Sequence, residues 1–214
     1  MSPEDVPSPV DFHNEAEAHA WIEQTIQRRP YRATFFNEFV NELCTLEERH
    51  IRVLELGSGP GMLAEEILHR CLSVSIYTLL DFSEPMLAVS RERLAEFATR
   101  VRFVRADFRS ADWMAHVGSV DAVLSMQAVH EVRHKRHVPA LYERIVSVLR
   151  PGGVMLACDH LPGQNPDARK SALYMTTEEQ LAALNIAGLR KVTVVFVADG
   201  MALYKAYAPE TKAG

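Results

Sequence analysis

The segment Val53-Leu54-Glu55-Leu56-Gly57-Ser58-Gly59-Pro60-Gly61 narrows most sharply what this chain can fold into. An apolar run of strand length ends directly in three glycines at alternate positions, and Met62 to Arg70 then reads as a helix. A strand that passes through a glycine loop into a helix opens a parallel α/β sheet, whose ligands bind at the carboxyl ends of the strands. The glycines let the backbone turn tightly and approach a ligand with no Cβ in the way. A dinucleotide fingerprint needs glycines at the first, third and sixth positions. Counted from Gly57, the sixth position here is Met62, so this loop is Gly-x-Gly-x-Gly instead.

Beyond that loop, short apolar runs alternate with amphipathic stretches. Ile51 to Leu56, Val74 to Leu80, Val101 to Val104, Ala122 to Met126 and Val154 to Ala157 read as strands. Pro85 to Phe97 and Val138 to Leu149 read as helices, the second halted by Arg150-Pro151-Gly152-Gly153. The alternation predicts a Rossmann-like α/β fold, a mostly parallel sheet with helices on both faces. A helix over Thr177 to Asn185, opened by a capping box of Thr176 and Glu179, precedes two strands, Lys191 to Val197 and Ala202 to Tyr207. Too few residues separate these strands for a parallel crossover. They therefore form an antiparallel hairpin through Asp199-Gly200, completing a seven-stranded sheet.

Ahead of the sheet, Trp21, Ile22, Ile26, Phe35, Phe36, Phe39, Val40 and Leu43 recur at helical spacing, and Pro30 divides the run into two helices. Pro3, Pro7 and Pro9 mark residues 1–12 as a disordered arm. Residues 13–48 then form a helical cap, 49–208 the ligand-binding core of a single domain, and 209–214 a tail. Of the 214 residues 48% are hydrophobic, enough for one sizeable core. No run of roughly eighteen apolar residues and no signal-like N-terminus suggests a membrane. A net charge of −5 lacks the basic excess of a nucleic-acid surface. Cys44, Cys71 and Cys158 are odd in number and far apart, and read as reduced, buried thiols of a cytoplasmic protein.

With these motifs in this order, the sequence resembles the class I S-adenosylmethionine-dependent methyltransferases that act on small molecules, over nearly its whole length. Glu55 with Gly57, Gly59 and Gly61 looks like that family's first motif. Asp81, ending Tyr77-Thr78-Leu79-Leu80-Asp81, stands where the family places the acid that holds the ribose hydroxyls. Arg105-Ala106-Asp107-Phe108 looks like its adenine-contacting segment, Asp121 to Met126 like its fourth motif, and Leu149 to Gly153 like its turn before the fifth strand. The resemblance implies S-adenosyl-L-methionine as cofactor and S-adenosyl-L-homocysteine as product. It implies that Glu55, Gly57, Ser58, Gly59, Gly61, Asp81, Phe82, Met86, Asp107, Phe108, Met126 and Gln127 surround them. The residue types agree, since a carboxylate can accept two charge-assisted hydrogen bonds from a ribose diol.

A sulfonium methyl group is already activated, so a base is needed only where the acceptor must lose a proton. His130, in Gln127-Ala128-Val129-His130-Glu131, is the candidate. Many small-molecule O-methyltransferases carry a His followed by an acid here, and use it as general base. The chain departs from them at Val132, where an aromatic residue is expected, and in Arg133-His134-Lys135-Arg136, which reads as a solvated basic turn. Those cations would repel a metal from His130, His134 and His137, so no metal is expected. Asp159 and His160 follow the fifth strand on the substrate side, Asp159 as a loop cap or a group that orients the acceptor. The first helices should cover both ligands, with Tyr31 and Arg32 touching substrate. Ser125-Met126-Gln127-Ala128 is not the Asn/Asp-Pro-Pro-aromatic motif of many nucleic-acid and protein amino-methylating enzymes. The expected acceptor is therefore a small molecule, handled by a monomer or homodimer. Two alternatives stay open: a non-catalytic cofactor-binding module, and an aminopropyl transferase, which should need clustered acids where this chain is basic.

Overall fold

A computed structural model describes residues 5–28, 30–46, 50–164 and 166–210. The strands are β1 (Ile51–Leu56), β2 (Val74–Asp81), β3 (Val101–Arg105), β4 (Val120–Met126), β5 (Leu149–His160), β6 (Arg190–Ala198) and β7 (Met201–Tyr207). They form one seven-stranded sheet in the order β3-β2-β1-β4-β5-β7-β6. The first five pair in parallel; β7 runs antiparallel to both β5 and β6. The strand order reverses between β1 and β4, which opens a crevice at their carboxyl ends. Register decides what reaches it. Leu56 pairs with Leu80, so Gly57 and Asp81 stand at one level, at the carboxyl ends of the strands. Met126 pairs with Cys158, so Gln127 and Asp159 do the same on the other side.

The helices are α1 (Glu15–Arg28), α2 (Arg32–Cys44), α3 (Met62–Arg70), α4 (Glu84–Arg93), α5 (Met114–Val117), α6 (Val138–Val148), α7 (Ala168–Leu173) and α8 (Thr177–Ile186). Successive strand residues face opposite sides of a sheet, and both sides are covered here. Leu54, Val123 and Met155 pack with Leu141 and Ile145 of α6 and Leu184 of α8. Val53, Leu124 and Leu156 pack with Phe35 and Phe39 of α2 and Ile67 of α3. Truncating Phe35 or Phe39 to Ala should cost about 3–5 kcal/mol, as both are fully buried. The expected capping box starts α8: Glu179 N donates to Thr176 Oγ1 at 3.2 Å, and Thr176 N to Glu179 Oε2 at 2.9 Å. The strand expected over Val154 to Ala157 is longer, because Leu149 already pairs with Val120 and β7 pairs as far as His160.

Two expectations are corrected. Cys44 and Cys71 are not thiols but a disulfide, with Cα atoms 5.6 Å apart. Far apart in sequence, they meet because α2 and α3 pack together and each cysteine lies at its helix's C-terminal end. Cys158 alone is free, and buried. Residues 5–12, expected to be disordered, are laid against the core: Val6 N donates to Arg133 O at 2.9 Å, and Ser83 Oγ to Phe12 O at 2.6 Å. Residues 1–4 of that arm and 211–214 of the tail lie outside the described residues.

Candidate active site

The β1–β2 side of the crevice is built by the glycine loop. Gly57, Gly59 and Gly61 all hold positive φ, at 63°, 54° and 75°. A Cβ on Gly57 would lie 2.5 Å from that of Ala128, whereas the space at Gly59 is open. Gly57 therefore admits the loop after β4, and Gly59 leaves its backbone bare toward a ligand. Asp81 ties the loop down: Gly59 N donates to its Oδ2 at 2.8 Å and Ser83 N to its Oδ1 at 2.9 Å. Burial raises the Asp81 pKa to about 6 even though those N–H groups pull it down. Burial raises Glu55 further, to about 8, against the Tyr77 hydroxyl that donates to it at 2.8 Å and the pull of Arg32. A bound cation would favour the ionised form of both carboxyls.

Phe82, Met86 and Phe108 line a cleft of about 470 Å³ with Gly57, Gly59 and Asp81. Arg32, Glu55, Ser58 and Met126 border the adjacent cleft of about 380 Å³. Among the described residues, Ser58 Oγ and Gln127 Oε1 are buried with no hydrogen-bond partner. A polar ligand would satisfy them, so the lining suits a nucleoside with a cationic tail. Asp107 borders a third cleft beside Phe108. Arg109 donates to both its oxygens, from Nε to Oδ1 at 3.0 Å and from Nη2 to Oδ2 at 2.6 Å. Burial raises the Asp107 pKa, but Arg109 outweighs it and the carboxyl sits below its ordinary value.

On the other side, β4 and β5 bring His130 to Asp159. His130 N donates to Asp159 Oδ2 at 2.8 Å, and His130 Nδ1 lies 2.7 Å from Oδ1. His130 Nε2 lies 3.3 Å from Glu131 Oε1, and Arg133 donates to the other Glu131 oxygen at 2.7 Å. Burial lowers the His130 pKa, but the two carboxylates outweigh it and push it up to about 10. Between these two carboxylates the ring expected as a base is favoured in its protonated form, in which both nitrogens donate. Asp159, read as a possible loop cap, is its ion-pair partner: burial raises Asp159 and His130 lowers it more. His160 Nε2 lies 3.0 Å from Gln127 Nε2, and its ring is 5.2 Å from that of Tyr174. These groups share a cleft of about 570 Å³ with Phe12 and Trp21. Gln127, at φ 56°, lines both sides of the crevice.

Not every expected residue arrives. Arg32 reaches the glycine-loop side rather than the His130 cleft, and Tyr31 packs on the core beneath α2. The basic run is not a solvated turn. Arg133 is buried at φ 67° and donates to Val6 O and Pro7 O, each at 2.7 Å. Lys135 pairs with Glu179 at 2.6 Å, and Arg136 and His137 pair with Asp5. Glu131, Arg133, Tyr174 and the 5–13 segment are the site residues that sequence reasoning missed. An acid directly after a candidate catalytic His was the one available signal.

Residues 53–153, from β1 into β5, match the methyltransferase domain family. Over 131 residues the chain is 27% identical to the non-reducing polyketide synthase subA of Metarhizium robertsii, covering 55% of this chain and 6% of that protein. The chain thus spans a small part of the curated relatives it matches. Human N-acetylserotonin methyltransferase superposes with a TM-score of 0.72 at 17% identity, over 92% of this chain and 57% of that one. An O-methyltransferase family protein from Burkholderia thailandensis gives 0.71 at 16%, over 94% and 62%. At such identities the likeness is one of fold. No helix among the described residues is long and apolar enough to cross a membrane. Family match, strand order and glycine loop coincide: the strands that build the crevice run through residues 53–153, which match a methyltransferase domain.

Proposed function

We propose that this chain methylates a small molecule at an ionisable oxygen or the carbon conjugated to it, with His130 holding that oxygen. One observation carries the reading: Phe12, Trp21, Gln127 and Glu131 line both the glycine-loop cleft and the His130 cleft, so ligands in the two would adjoin. Asp81 would accept from the ribose hydroxyls, and Glu55 would face the cationic end of the cofactor. Phe82, Met86 and Phe108 supply apolar walls. Asp107 would accept from an amine only in place of part of its contact with Arg109, which donates to both its oxygens. Bound there, S-adenosylmethionine supplies a methyl group already activated on its sulfonium sulfur.

The chain itself contributes position and charge. An acceptor oxygen that has released its proton to water would replace Glu131 as the partner of His130 Nε2–H. Asp159 keeps the ring oriented and charged. This departs from the expected base, because a group protonated at rest cannot take a proton. The polyketide synthase relatives support an enolic or phenolic acceptor. The test is release of S-adenosylhomocysteine with a panel of phenols and enolisable carbonyl compounds. Activity that appears with a member of the panel and is lost in His130→Ala supports the reading. Full activity in that variant removes His130 from it.

A further inference from the structure

The His130 cleft holds a positive charge that the catalytic network does not use. Arg169, on α7, lines that cleft and, among the described residues, has no ion pair or hydrogen bond. The remaining full charges offset one another: His130 sits against Asp159, and Arg133 against Glu131. The other walls include the rings of Phe12, Trp21 and Tyr174 beside His160. Flat π faces suit a flat ligand, and a guanidinium is a planar fork that matches a carboxylate with two parallel hydrogen bonds.

We infer that the acceptor is a planar aromatic or enolic compound bearing a carboxylate, its acid held by Arg169 and its ionisable oxygen at His130. The inference rests on the methyl-transfer reading for the identity of the site, but its test needs no turnover. Arg169 is exposed, so its replacement leaves the core intact.

The probes are 3- and 4-hydroxybenzoate and their amides, titrated calorimetrically into the full chain saturated with S-adenosylhomocysteine. At least one acid should bind, about tenfold more tightly than its amide, as one charge-assisted contact allows. Arg169→Gln should erase that preference by weakening the acid alone, and Arg169→Lys should restore part of it. Equal affinity for acid and amide, no binding of either acid, or an unchanged preference in Arg169→Gln overturns the inference. The saturating step separates the two readings. Failure of S-adenosylhomocysteine itself to bind would undo the cofactor assignment, whereas intact cofactor binding with indifference to the acids undoes only the role of Arg169.

Discussion

The two sides of the crevice use the same device, a pair of parallel strand ends at one level, yet they hold charge in opposite ways. Beside β1 and β2, burial lifts Glu55 to about 8 and Asp81 to about 6, so both carboxyls resist ionising. Beside β4 and β5, a less deeply buried cluster sets opposite charges against one another, because His130 lies between Asp159 and Glu131 and Glu131 meets Arg133. On the first side a bound cation would favour the ionised carboxylates. The second is balanced internally and offers a donor. Burial alone therefore does not set the protonation of a group; the partner supplied with it does.

The largest break in that comparison should come from His130. His130→Ala should lower kcat by about a thousandfold while S-adenosylhomocysteine affinity, read by calorimetry, shifts little. Loss of affinity together with kcat would mean that the two sides are not separable. Asp81→Ala should act on the other side and weaken S-adenosylhomocysteine about a hundredfold, the cost of losing two charge-assisted hydrogen bonds. Unchanged affinity there would refute the placement of the ribose.

A smaller effect should follow from the disulfide, which fastens the cap helix α2 to α3 behind the glycine loop. Replacing Cys44 and Cys71 together by Ser should cost about 2 kcal/mol in denaturant unfolding. A stability loss below the error of the measurement would show that packing of α2 suffices.

The smallest effect should be in pH, where the two sides fail at opposite ends. Asp81 gains its proton as pH falls through about 6, so cofactor affinity should weaken from pH 7 to pH 5. His130 loses its proton as pH rises toward about 10, so the rate with an already ionised acceptor should fall there. Asp159→Asn removes the largest stabiliser of the imidazolium and should move that falling limb down by about one pH unit, ~1.4 kcal/mol. A rate that keeps climbing through pH 10 would return His130 to the role of base.

How much of this was legible depended on the range of the contact. The glycine loop, Asp81 and the hairpin at Asp199-Gly200 follow from local spacing, and the fold followed from them. Asp121 shows the limit: a motif position by resemblance, it accepts from Arg52 N at 2.6 Å and pairs with Arg150, which is a structural role. The Cys44–Cys71 bond, the seating of residues 5–12 and the charge on His130 each arise from residues that tertiary packing alone brings together. Arg133 is the clearest case. In sequence it sits in a cationic run, and in the structure it is buried on the carbonyls of Val6 and Pro7.

The central claim is that the glycine-loop side receives an adenosyl cofactor with a cationic tail. Calorimetric titration of the full chain with S-adenosylmethionine and S-adenosylhomocysteine, with NAD and NADP as controls, tests it most directly. The account expects both adenosyl ligands to bind and both dinucleotides to give no heat. Binding of a dinucleotide, or no binding of either adenosyl ligand, would contradict it.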